Sequence, residues 1–141
     1  MAVAFARGGE DMAIGEALRR EAVQAAVGLA GDTSRTLIVP PDGSRSHSGA
    51  GPLTGMLAEE SAGPADVMPA LGTHRAMTPG EIRAMFGGGV DPGAFLEHRW
   101  RDDLIRLGVV PSEFVHSVSG GVLRDAMPEY DIPVEINRAL V

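Results

Sequence analysis

An aspartate, an arginine and a histidine in two short loops are the side chains of this chain best suited to chemistry. The first loop reads Pro40-Pro41-Asp42-Gly43-Ser44-Arg45-Ser46-His47. Its carboxylate can accept from a hydroxyl or orient a neighbouring side chain, and its planar arginine fork matches a carboxylate or a phosphate. The second loop reads Leu71-Gly72-Thr73-His74-Arg75. An imidazole ordinarily titrates near ~6.5, which suits His74 to proton transfer at neutral pH. The amides of a helix starting just beyond it, at Thr78, favour an anion beside it. A small anionic molecule bearing a hydroxyl or carbonyl is the ligand that such parts fit. A plainer account stands beside this one: Asp42 closes a turn on its own backbone with Arg45 in solvent, and His74 is a solvated loop histidine.

The remaining candidates are weaker. His47 lies in the first loop without a partner set by spacing. His98, between Glu97 and Arg99, reads as a surface or supporting residue, and His116, within an expected strand, as a hydrogen-bonded core histidine. No two of the four histidines have the close helical spacing of a zinc motif, so the expected metal site within this chain is none. Ser119-Gly120-Gly121 could offer amides to an anion, although a glycine pair after a strand is more simply a turn. The Gly87-Gly88-Gly89 run separates two helices, and no glycine falls in a phosphate-loop pattern.

These loops must be carried by regular elements. Ile14, Leu18, Ala22, Ala25 and Leu29 recur at helical spacing and predict an amphipathic helix over 13–30. Thr36-Leu-Ile-Val39 is a short apolar, β-branched run stopped by two prolines, as a strand buried on both faces would be. A short helix over 52–62 turns Leu53, Met56 and Leu57 inward, and 66–71 is a second strand, weakened by Pro69. Thr78-Pro79-Gly80-Glu81 has the form of a capping box, starting a helix with Ile82, Met85 and Phe86 on one face. Asp91-Pro92 opens a further helix running to Gly108, with Glu97/Arg101 and Asp102/Arg106 as its surface pairs. Strands are expected at 113–118 and 133–136. This alternation implies an α/β fold, a largely parallel sheet with flanking helices, in which ligands gather in the loops beyond the carboxyl ends of the strands. The loops after Val39, Leu71 and Val118 are therefore the ones to search.

Composition narrows the function classes. With 141 residues, 44% of them hydrophobic, the chain can bury one core, so one domain is expected: 1–35 as a helical lead-in and 36–141 as the α/β body. A net charge of −7, with the positive residues scattered, supplies no field for nucleic-acid phosphates. There is no lysine, so no Schiff base or lysine-linked adduct can form on this chain, and no cysteine, which fits a reducing, cytoplasmic setting. No segment approaches the ~20 apolar residues of a membrane span, and no membrane partner is expected.

Taken together, Ile38-Val-Pro-Pro-Asp-Gly-Ser-Arg45 and Ala70-Leu-Gly-Thr-His-Arg-Ala-Met-Thr-Pro79, followed by Glu81-Ile82, resemble the N-terminal domain of the nickel-pincer lactate racemase family. Phe95-Leu-Glu-His-Arg-Trp-Arg101 and Pro133-Val-Glu-Ile-Asn-Arg138 extend the likeness, which runs from about Thr36 to the end. The resemblance implies a Rossmann-like catalytic domain. It also implies an enzyme that interconverts the two hands of a 2-hydroxy acid, moving a hydride to and from a nickel-bearing pyridinium mononucleotide while histidines take and return the hydroxyl proton. On that basis His74 is an acid/base residue, Arg45 holds the substrate carboxylate, Asp42 supports the same polar loop, Arg75 joins the substrate set and Thr73 lies toward the cofactor. Gly43-Ser44 departs from the family, where bulkier residues or threonine often separate the acid from the arginine.

Family members continue into a second acid/base histidine, the lysine that tethers the cofactor, a nickel-ligating histidine and a closing second domain. This chain reaches Val141 just before them. The expectation is therefore the front part of a 2-hydroxy-acid racemase or epimerase, inactive alone and completed by a further segment or a separate complementary chain. The alternative is a stand-alone module that binds an anionic metabolite or nucleotide through Arg45, Arg75 and the helix start at Thr78.

Overall fold

Two parallel strands joined by a helix organise the first half of the chain. The computed structural model describes residues 5–123 and 131–141. Strand β1, Thr36–Ile38, pairs in parallel with β2, Ala65–Val67, and helix α2, Ala50–Glu60, makes the crossover between them. The chain is thus an α/β protein. Beyond the strands the pairing continues: Met68 N–H donates to Ile38 O at 2.9 Å, Ala70 N–H donates to Pro40 O at 2.8 Å, and Pro41 and Ala70 form an isolated parallel bridge. Pro69 does not break this ladder because amides alternate sides along a strand. Those of residues 68 and 70 face β1, so the missing N–H of Pro69 falls on the opposite side. That opposite side is occupied elsewhere by Phe95, bridged in parallel to Val67, with Leu96 N–H on Val67 O at 2.8 Å.

The small core sits where these segments meet. Ile38, Val67 and Val90 are buried together, with Leu57, Ala58, Ala65, Ala94 and Phe95 packed against them, and the Phe86 and Phe95 rings lie 5.0 Å apart. Helix α1, Glu16–Ala30, begins after Gly15, later than the periodicity suggests. Its buried residue is Val23, while Ile14 and Leu29 of the expected apolar line are exposed. It meets α2 through Arg20 to Glu59 at 2.9 Å and Gln24 to Glu60 at 3.0 Å. In α2, Met56 is buried as expected, joined by Gly51, Thr54 and Gly55. Helix α3, Pro79–Phe86, starts with the full capping box that the sequence predicts and buries Met85 and Phe86.

By Cα proximity the chain forms two units, Met1–His98 and Arg99–Val141. In the second, β3, Leu104–Val110, and β4, Ile132–Asn137, form an antiparallel pair with an irregularity between Arg106 and Gly108. Two expectations fail here. The helix over 91–108 is instead a 3-10 turn at Pro92–Ala94, an extended Phe95 and then β3. The free carbonyl of Val67 takes Leu96 N–H, and the run Leu-Ile-Arg-Leu-Gly-Val-Val finds a strand partner in β4, which outweighs the helical spacing. Arg106 accordingly pairs with its cross-strand partner Glu135 at 2.9 Å, and Arg99 faces Asp102 and Asp103 at 3.6 and 3.7 Å. The strand expected at 113–118 is helix α4, Ser112–Val118, entered from an extended Pro111. The fourth expected strand is present as β4.

No helix among the described residues is long and apolar enough to cross a membrane. Close backbone approach gives a direct test of the α2–α3 packing. A Cβ on Gly51 would lie 1.9 Å from Met85 O, whereas one on Gly88 would meet nothing within 4 Å. Gly51→Ala is expected to cost about 3 kcal/mol or more, and Gly88→Ala to be neutral or slightly stabilising. Urea unfolding of the two variants checks this, and equal midpoints would refute the packing.

Candidate functional site

Because β1 and β2 run in parallel and stay paired as far as Pro41 and Ala70, the residues that follow leave the sheet at the same end. Asp42 caps a 3-10 turn, Gly43–Ser48, its Oδ1 accepting from Ser44 N at 3.2 Å and from the Ser44 hydroxyl. Opposite it, Gly72 adopts φ +57°, a conformation that favours glycine, and the turn closes with His74 N–H on Leu71 O at 2.9 Å. The two loops meet in a hydrogen bond of 2.6 Å between His74 Nδ1 and Asp42 Oδ2, across 32 positions of sequence.

The pair is asymmetric in a way that suits proton transfer. The Asp42 side chain is 10% exposed and the His74 side chain 59%. Ser44 and then the His74 ring hold the Asp42 carboxyl below the usual carboxylate range, so at neutral pH it is an acceptor only. Nδ1 is therefore the donor in this bond, and Nε2 is the ring nitrogen left for another partner. When Nε2 takes up a proton, the adjacent carboxylate stabilises the imidazolium without becoming protonated itself.

Arg45, Thr73, His74 and Asp42 line one open cavity of about 510 Å³. Arg45 is exposed, and among the described residues its guanidinium has no ion-pair or hydrogen-bond partner, so its fork is available to a ligand. Arg75 lines a neighbouring cavity of about 340 Å³ with Asp42, His74, Met77 and Glu81, but its fork is engaged. It grips Glu81 in two bonds of 2.6 and 2.9 Å and also donates to Ala76 O. Glu81 is pulled down to about 2 by Arg75 first and then by Thr78 N–H. The α3 start at Thr78 thus already holds a carboxylate of its own.

His47 is exposed on the 3-10 turn, and His98 is half-buried, its buried Nδ1 without a hydrogen-bond partner among the described residues. His116 sits in α4 rather than in a strand. The amides of Gly120 and Gly121 are spent on Ser117 O and His116 O, closing the end of α4 as a turn. Sequence spacing does not reveal three of the contributors: Ser44, the Arg75–Glu81 clamp and Met77. Ser44 alone had a local signal, two positions after an aspartate, where an Asx turn forms. Met77 lies against Gly43, where an added Cβ would come within 3.3 Å of its Cε, so the glycine between acid and arginine makes room for it.

Among the described residues no group of three histidine, aspartate or glutamate side chains is placed to hold a metal ion. No family model, curated protein or solved structure matches this chain.

A carboxyl held below its ordinary value in the folded protein stabilises it above the unfolded value and loses that contribution as pH falls through the folded one. Asp42 and Glu81 are both of this kind. Stability is therefore expected to fall from about pH 4 toward pH 2, from the unfolded carboxyl range down to the value of about 2 at Glu81. Asp42→Asn should flatten that profile, as read by urea midpoints from pH 2 to 7. A variant profile parallel to the parent would remove Asp42 from this role.

Proposed function

We propose that this chain forms the substrate-anchoring and proton-transferring part of a 2-hydroxy-acid racemase or epimerase of the lactate racemase type. The observation that carries the reading is the 2.6 Å bond between His74 and buried Asp42, with Arg45 on the wall of the same cavity. The two loops that carry the resemblance are the two that meet. In this reading Arg45 takes the substrate carboxylate in a two-point contact, which fixes the position of the neighbouring hydroxyl. His74 Nε2 removes or returns the hydroxyl proton, and Asp42 holds the ring and balances its charge. Thr73 lines the same cavity, and Arg75 acts through Glu81 by fixing the His74 loop to α3.

The cofactor of the family does not fit on this chain's own residues. Its tether is a lysine, of which the sequence has none, and no metal-holding group is formed among the described residues. No step is therefore assigned through it. In this reading the hydride acceptor and a second proton-transfer residue come from outside the residues named here. We further propose that β1, β2 and the Phe95 segment, three parallel neighbours, belong to a Rossmann-like, largely parallel sheet. The cysteine-free composition supports a cytoplasmic setting.

A second reading, a module that binds an anionic metabolite and does no chemistry, rests on the open fork of Arg45, because Arg75 and the helix start at Thr78 are engaged by Glu81. Calorimetric titration with lactate, followed by turnover assays with the complementary part supplied, separates the two. Arg45→Ala should weaken binding by about 10-fold or more, the cost of a charge-assisted hydrogen bond. His74→Ala should leave binding within about threefold, since its role is in proton transfer, and should abolish turnover. Equal loss of binding in the two variants would overturn the assignment, and full turnover in His74→Ala would leave only the binding module.

A further inference from the structure

A second chamber, of about 150 Å³, adjoins the site. Its walls are mainly apolar, with Leu71, Met77, Ile82 and Phe95 among them, and Glu97 and His98 also line it. Leu71 also walls the cavity that holds Arg45 and His74, and Met77 also walls the one that holds Asp42 and Arg75. The chamber therefore begins where the polar site ends, and two side chains are common to both. A chamber of about this volume has room for a benzene-sized group. Its position follows from the fold. Leu71 and Phe95 come from the β2 segment and its parallel neighbour, and Ile82 comes from the inward face of α3, so the loops that place the charges also place the apolar wall. Met77, seated against Gly43, has an unbranched thioether that can repack around whatever enters.

We infer that this chamber is the subsite for the substituent of the hydroxy acid, and that the preferred ligand carries an apolar group of isobutyl to benzyl size, not the methyl of lactate. This rests on the reading of Arg45 and His74 as the hydroxy-acid site. Arg45 then holds the carboxylate, Nε2 of His74 meets the hydroxyl, and the third substituent of the same carbon passes Met77 into the chamber. An apolar substituent is favoured by the mainly apolar wall, where each buried methylene contributes about fourfold in affinity.

Titration of the full chain with lactate, 2-hydroxybutyrate, 2-hydroxy-4-methylpentanoate and 3-phenyllactate tests this. The protein is labelled with ¹³C at the methionine methyls, and the Met77 signal is assigned by Met77→Leu. Affinity should rise along the series by on the order of 10- to 100-fold in total, and the Met77 methyl should shift with the two largest acids and not with lactate. Ala76→Phe, which narrows the chamber, should remove the gain and leave lactate affinity within about threefold, at an unchanged melting temperature. The methyl shift in the parent protein stands as evidence even where that variant does not fold. Equal affinity across the series with Met77 unshifted overturns the subsite and leaves the hydroxy-acid site standing. Failure of every acid to bind, lactate included, overturns the site itself and the subsite with it.

Discussion

Two backbone hydrogen bonds beyond the last paired strand residues, from Met68 N–H to Ile38 O and from Ala70 N–H to Pro40 O, decide where the functional loops begin. Both chain segments run in the same direction, so both loops must leave at one end, and their polar residues are brought within bonding distance without either loop being long. A shift of one position would turn Ile38 and Val67 out of the core, an exchange that the burial of these two side chains opposes. The prolines reinforce the register by what they lack. Pro40 contributes a carbonyl and no competing donor, and Pro69 has its missing amide on the side away from β1. The loop geometry thus depends on a small set of apolar contacts around Val67 that take no part in any chemistry.

The electrostatic arrangement follows from burial. A carboxylate as enclosed as Asp42 needs donors, and it has three: the amide and hydroxyl of Ser44 and the ring of His74. Ser44 is the larger influence on its charge state and His74 the second, so the aspartate stays ionised through local contacts and remains able to support the imidazole. The cations divide the work. Arg75 is committed to Glu81, at the cost of its own freedom, while Arg45 keeps an open fork. Two arginines in equivalent positions of two loops therefore have different uses, and the difference comes from a capping glutamate three residues into a helix.

Much of this was legible in residue order. The double proline after Thr36-Leu-Ile-Val39 marked a buried strand, and Thr78 with Glu81 marked a helix start with its cap. The two loop motifs picked out Asp42, Arg45 and His74 before any geometry. What failed were elements whose partners are distant. Leu96 sits at helical spacing with Trp100 and Leu104, yet β2 offers an unsatisfied carbonyl to Leu96, and β4, nearly thirty residues on, offers an antiparallel ladder within 104–110. Local periodicity carries no information about either. The short run at 113–118 reads as a strand in composition and forms α4, entered from Pro111. At the site, the Arg75–Glu81 clamp was hidden because each residue already had a sufficient local explanation, one as a loop cation and the other as a cap.

That clamp has a further consequence. The loop carrying His74 is fixed at three points: through its own ring to Asp42, through Leu71 O to its amide, and through Arg75 to α3. A surface loop would ordinarily surrender conformational freedom on meeting a ligand, and that ordering would subtract from affinity. Here the ordering is already complete in the folded protein. The imidazole is held in one orientation before any ligand arrives, so the entropy of ordering this loop is charged to folding and not to recognition.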